Sequence, residues 1–263
     1  KQLFRRKTWR NLLINKNSLK INFNFNPITP ISNLMEWNKK YAYPTSTRAI
    51  VNGSRHYSMD GFNLPSVTTI LAATKSEEDK AAIAAWKERV GHREAERIKN
   101  EATTIGTAVH EALEQYLYGK DWNNFNSSKE HQIAARITNK FIESGLDGIE
   151  EVWGLESGLV LDGLYAGTAD CIGIFEGESS IIDFKTAKQI KKKEWITDYF
   201  LQGVAYANAH NVMFNTDIKN VVILMVDREL IFKKFTISLI EFQHFTSIWK
   251  KKLIAFDRKI NHD

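Results

Sequence analysis

Cysteine is almost missing from this chain. Cys171 stands alone among 263 residues, which excludes an internal disulfide and a cysteine-ligated iron–sulfur cluster. A lone thiol fits a reducing compartment. Long apolar runs are missing as well. A stretch such as VVILMV (221–226) falls far short of the roughly 20 residues that span a bilayer, so no membrane partner is expected. Acidic residues are absent from the head, where the first is Glu36. Before it come Lys1, Arg5, Arg6, Lys7, Arg10, Lys16 and Lys20. Pro27 and Pro30 break any regular element there. Residues 1–40 therefore read as a basic arm that suits a nucleic-acid backbone, a transit-like peptide or plain solvation. No apolar stretch typical of a secretory signal is found, and no internal repeat.

What is present describes a soluble globular domain over 41–263. Hydrophobic residues make up 43% and charged residues 25%, enough for one sizeable core. A net charge of +5 and a pI near 9.1 suit a polyanionic partner. Nothing in the sequence fixes an oligomeric state, and a monomer suffices.

Residues 48–62, RAIVNGSRHYSMDGF, carry Asn-Gly and Asp-Gly, both hairpin signals, and predict short antiparallel strands. Helix formers of mixed charge predict a long exposed helix over 77–100. Ile105, Val109, Leu113 and Leu117 have helical spacing within a second helix over 102–119. A third helix spans 129–145. The period then changes to that of strands, at 150–161, 167–177 and 179–185. A helix at 198–210, strands at 220–227 and 231–237, and an amphipathic helix at 239–260 complete the chain. The order predicts an α/β fold with a central sheet flanked by helices and a helical subdomain over about 75–145.

The candidate chemistry sits at strand ends. Asp183 and Lys185 in IIDFKT (181–186) are two apart and share a strand face. They form either an ordinary ion pair or half of a metal site. Asp170 in YAGTAD (165–170) lies 13 residues earlier, within reach across a tight turn. Paired buried carboxylates need a cation or a proton between them, and Mg²⁺ or Mn²⁺ prefers such oxygens. On the second helix, His110 shares a face with Gly106, Thr107, Leu113 and Glu114. Gly106 inside a helix suggests close approach of a backbone or a ligand. Gln202 and Tyr206 lie four apart on a later helix and can reach phosphate or base groups. Lys188, Lys191, Lys192 and Lys193, beside Trp195, fit either a nucleic-acid backbone tract or a solvated loop.

Taken in order, GTAVH (106–110), GTAD (167–170), IDFKT (182–186) and the Gln202/Tyr206 helix resemble the RecB-like branch of the PD-(D/E)xK nuclease superfamily. LPSVTTILAATKS, upstream of them, is similar to phage-type and mitochondrial exonucleases. The resemblance covers roughly residues 45–237. It implies a restriction-endonuclease-like core with a central mixed sheet. It implies that His110, Asp170, Asp183 and the Phe184 carbonyl hold Mg²⁺ or Mn²⁺, with Asp170, Asp183 and Lys185 catalytic. Glu156 in GLES (154–157) is an additional acidic candidate. Thr107, Glu114, Thr186, Gln202, Tyr206, Lys188, Lys191 and Lys192 would support the site or the DNA. The cysteines that bind a cluster in helicase–nuclease relatives are absent, so none is expected. The implied activity is a DNA exonuclease acting on single-stranded DNA or DNA with free ends. An endonuclease and a non-catalytic DNA-binding module on the same fold are the alternatives. The expected setting is a cytoplasm, that of a host if the chain is viral, with mitochondria second.

Overall fold

In the computed structural model, residues 36–51, 53–59 and 62–262 are described. The basic arm expected over 1–40 lies outside them except for its last five residues. There β1 (Glu36–Trp37) forms, followed by β2 (Thr47–Val51), β3 (Ser54–Met59) and β4 (Phe62–Pro65). Helices α1 (Val67–Ala73), α2 (Glu77–Val90), α3 (His92–Leu117) and α4 (Lys129–Ser144) come next. Strands β5 (Ile149–Leu161), β6 (Tyr165–Phe175) and β7 (Glu178–Ala187) lead into α5 (Thr197–Phe214). Then β8 (Asn220–Asp227), β9 (Phe232–Thr236) and α6 (Leu239–His262) close the chain.

The central sheet has the order β1-β5-β6-β7-β8-β9. It is mixed: β5, β6 and β7 are antiparallel neighbours, β8 joins β7 in parallel, and β9 returns antiparallel. The α/β class with a flanked mixed sheet is thus present. Glu176 (φ 49°) and Gly177 (φ 82°) make the turn between β6 and β7, a two-residue turn whose positive φ values suit the strand twist. A parallel β7–β8 pair needs a crossover, and α5 supplies it. β1 is tied in twice, by its ladder to β5 and by Trp37 Nε1, which donates to Leu117 O at 3.0 Å.

Each sheet face buries its own core. Ile181, Ile223 and Met225 pack with Val204 and Ala205 of α5 and Trp249 of α6. On the opposite face Ile182, Phe184 and Leu224 pack with Ile105, Val109 and Leu113 of α3 and with Ile137 and Phe141 of α4. The helical stretch over about 75–145 therefore divides. α2 has no buried residue, whereas α3 and α4 lie on the sheet. The single helix expected over 77–100 is two helices. Gly91 adopts φ 85° and ψ 142° and ends α2, a conformation that favours glycine, and α3 starts at His92 rather than at 102. Ser66, Ser76 and Ser128 cap α1, α2 and α4 through their hydroxyls. β2, β3 and β4 form a second small sheet, whose Tyr57 and Leu64 pack on Ala166 at the start of β6.

Candidate active site

The registers of β5, β6 and β7 set the site. Leu155 pairs with Cys171 and Ser157 with Ala169, so Glu156 stands opposite Asp170. Cys171 pairs with Ile182, and one step past that pair Asp170 faces Asp183. Three acidic positions therefore follow one another across three strands. The β6–β7 ladder ends at this row. The Phe184 N–H donates to Asp170 Oδ2 at 2.9 Å, a side chain taking the place of a ladder carbonyl. Glu156 has φ 43°, a conformation uncommon for any residue but glycine and rarer still inside a strand. Such strain collects at functional sites.

α3 brings His110 to the row. Its Nδ1 lies 3.4 Å from Asp170 Oδ2 and 3.9 Å from Glu156 Oε1. One ligand atom from each of His110, Glu156 and Asp170 lies within 4.8 Å of the other two. Two carboxylates and an imidazole converging at this spacing fit a divalent cation, and the oxygen donors suit Mg²⁺ or Mn²⁺. Asp183 does not join this group. Its carboxylate is 2% exposed and is taken by Lys185, whose Nζ donates to Oδ1 at 2.6 Å. Oδ2 is as close to the ammonium but accepts no aligned hydrogen bond.

Charge and burial compete at every one of these groups. For His110, burial works against the charged form, but the carboxylates of Asp170 and Glu156 override it and raise its pKa to about 10. For Asp170, burial works upward and the His110 cation prevails, holding its pKa below the usual value. Burial raises Asp183 to about 6, with Asp170 adding to the rise and Lys185 opposing it. Burial would lower Lys185, but Asp183 and Asp170 hold its pKa above the ordinary value. The site thus holds three ion pairs, His110 with Asp170 and with Glu156 and Lys185 with Asp183.

A cavity of about 610 Å³ opens over the row. Thr107, His110, Glu114, Glu156, Asp170, Lys185, Gln202 and Tyr206 line it. Tyr206 accepts from Gln202 Nε2 at 3.3 Å, and its ring lies against Gly167, where an added Cβ would meet it at 2.6 Å. The glycine of GTAD is therefore a seat for Tyr206. Gly106 is less constrained: an added Cβ would have Thr186 Oγ1 at an ordinary 3.7 Å. Thr186 and Phe184 are not on the cavity wall, and the Phe184 ring lies in the α3–α4 core. The lysine run is also off the wall. Lys191 donates to Tyr199 Oη at 2.8 Å, Lys192 lies over Trp195 and Lys193 pairs with Glu241. Tyr199 ties the run to the site, since Lys185 Nζ lies 5.1 Å from its ring centre.

Sequence reasoning missed five further residues that line the cavity: Arg48, Arg55, Tyr57, Ser66 and Thr68. The Asn-Gly dipeptide signals the hairpin but not its docking at the cavity. A two-residue hairpin connection, as that dipeptide signals, fixes which residues of the flanking strands face each other.

No protein-family model matches the chain. The chain is 32% identical over 157 residues to mitochondrial genome maintenance exonuclease 1 of Mus musculus, a match that covers 57% of this chain and 45% of that protein. It is 29% identical over 159 residues to the Homo sapiens protein of the same name, covering 56% and 44%. The chain thus spans less than half the length of either relative. A crystal structure of a proposed exonuclease from Eubacterium rectale aligns with a TM-score of 0.47 at 13% identity, over 62% of this chain and 68% of that one.

Proposed function

We propose that this chain is a divalent-metal-dependent DNA exonuclease of the PD-(D/E)xK superfamily, in its RecB-like branch, acting on single-stranded DNA or on free ends. The observation that carries the reading is the row Glu156, Asp170 and Asp183 across β5–β7, with His110 against one end and Lys185 against the other. The shared ancestry with two proteins named exonucleases supports it.

His110, Glu156 and Asp170 would hold the cation, with Asp183 and the Phe184 carbonyl beside them. A bound Mg²⁺ or Mn²⁺ supplies Lewis-acid polarisation of a phosphoryl oxygen and neutralises developing charge. Lys185 is kept as an ammonium by Asp183, so its proposed part is to orient the attacking water and stabilise negative charge on the phosphate. Gln202 and Tyr206 position the strand from α5. The helical stretch from about 75 to 145 would restrict entry to a strand end, which favours exonuclease action. The relatives' printed names point to a mitochondrial address, in place of the cytoplasmic one suggested by the phage-like stretch. Among the described residues no helix is long and apolar enough to cross a membrane.

The test compares end-labelled linear single-stranded DNA with a closed single-stranded circle, each with Mg²⁺ or Mn²⁺. The linear strand should shorten from an end while the circle survives. Lys185→Ala should slow the reaction by about 10²–10³-fold, the scale of losing one charge-stabilising group. Equal cutting of the circle would make the chain an endonuclease. Binding of DNA with no cutting under either metal would make it a binding module.

A further inference from the structure

Two arginines share the cavity with the acidic row, and among the described residues neither has an acid of its own. Val51 pairs with Ser54, Arg48 with Tyr57 and Ile50 with Arg55. Cross-strand partners and residues two apart share a face. Arg48, Tyr57 and Arg55 therefore stand together on one face of the small sheet. Tyr57 is 5% exposed and anchors this face on Ala166, one residue before the glycine that seats Tyr206. The Arg48 guanidinium lies 5.9 Å from the Tyr57 ring centre, a cation–π contact that narrows where it can reach.

Both arginines line the same cavity as His110, Glu156 and Asp170. Among the described residues neither guanidinium makes a hydrogen bond or an ion pair. Yet four carboxylates, Glu111, Glu114, Glu156 and Asp170, share that cavity with them. The acids come from α3, β5 and β6 and the guanidinium groups from β2 and β3, and no ion pair joins the two sets among the described residues. A ligand that satisfies both walls is anionic toward the arginines and bound through a cation toward the acids. A phosphodiester meets both conditions, and a guanidinium fork matches its two free oxygens.

We propose that Arg48 and Arg55 grip the phosphodiester backbone of the DNA strand opposite the cation site, so that the strand is clamped between the small sheet and the catalytic row. The identity of the ligand as DNA rests on the nuclease reading above. The clamp acts on the backbone, so it is indifferent to base sequence.

The experiment is equilibrium binding of a fluorescent single-stranded oligonucleotide to the full chain across a salt series, with Ca²⁺ in place of Mg²⁺. Arg48→Gln and Arg55→Gln should each weaken binding by about tenfold or more. Each should also flatten the plot of log K against log salt by about 0.7, the value for one phosphate contact on a single strand. Arg48→Lys and Arg55→Lys should restore the slope. A thermal melt distinguishes loss of binding from loss of fold. The unaltered chain gives an independent readout, because a neutral methylphosphonate linkage walked along the DNA should reproduce the same flattening at one or two positions. Unchanged affinity and slope in both glutamine variants, or no sensitive linkage, would overturn the clamp. Cutting by the unaltered chain is scored separately. Binding through the arginines without cutting would keep the clamp and remove the nuclease reading. Cutting with arginine-independent binding would do the reverse.

Discussion

His110 and His210 are the same side chain in opposite surroundings. His110 meets two carboxylates, and its pKa is raised to about 10. His210 is buried on α5 among Tyr41, Tyr43, Trp153 and Phe214. Burial, with Lys40 adding to it, lowers its pKa to about 4. Both nitrogens of His210 are occupied, Nε2 by Tyr43 Oη at 3.1 Å and Nδ1 by Thr216 Oγ1 at 2.8 Å. The nitrogen of His110 that faces Asp170 also faces Glu156, an arrangement that could hold a cation. Histidine alone carries no function; the charges around it do.

That contrast can be broken most forcefully at the row. Asp170→Asn removes the carboxylate that meets both His110 and the Phe184 amide. Cleavage should fall by more than about a hundredfold, since even outer partners of a metal site cost about 10–100-fold. A melting curve should show the variant folded. Loss at His210 should act on stability instead. His210→Ala would open a cavity, take away the partner of the Tyr43 hydroxyl and leave Thr216 with Asn211 alone, costing about 2–4 kcal/mol. Denaturant titration checks this, and cleavage per folded molecule should stay at the level of the unaltered chain.

Smaller effects appear with pH, in opposite windows. His210 has a folded pKa near 4 against a usual 6.5, so the unfolded chain binds a proton that the folded chain refuses. Its contribution is complete above pH 6.5 and is lost as pH falls from there toward 4. His110 has the reverse sign. Its folded pKa is about 10, so in metal-free protein its contribution is complete below 6.5 and is lost as pH rises toward 10. Metal binding must expel that proton, so affinity for Mn²⁺ should tighten as pH rises, and His110→Ala should flatten the dependence. The smallest change is expected at Lys192, which is exposed and stacked on Trp195 off the cavity wall. Lys192→Ala should alter stability by no more than about 0.5 kcal/mol.

Much of this was legible in the sequence, for physical reasons. Asp170 and Asp183 lie on either side of a Glu-Gly turn, and two antiparallel strands joined by two residues must align them. Asp183 and Lys185 are two apart on a strand, and they do meet. The helical period of α3 placed His110, Thr107 and Glu114 on a common face, and all three line the cavity. What was not legible depends on distant packing. The Gly91 break depends on a backbone conformation that a run of helix formers conceals. The aromatic enclosure of His210 joins residues from 41 to 214. The arginine wall requires the small sheet to dock on β6, which no local pattern announces. Asp183 was expected with the cation, but its carboxylate turns to Lys185, because the nearest ammonium is on its own strand.

The decisive measurement on the proposed metal-dependent exonuclease is release of nucleotides from linear single-stranded DNA by the unaltered chain. It is run with Mg²⁺, with Mn²⁺ and with excess EDTA, each beside Asp170→Asn. Nucleotides should be released with a metal, and neither with EDTA nor by the folded variant. Release that persists in EDTA, or that survives Asp170→Asn, would contradict the proposal.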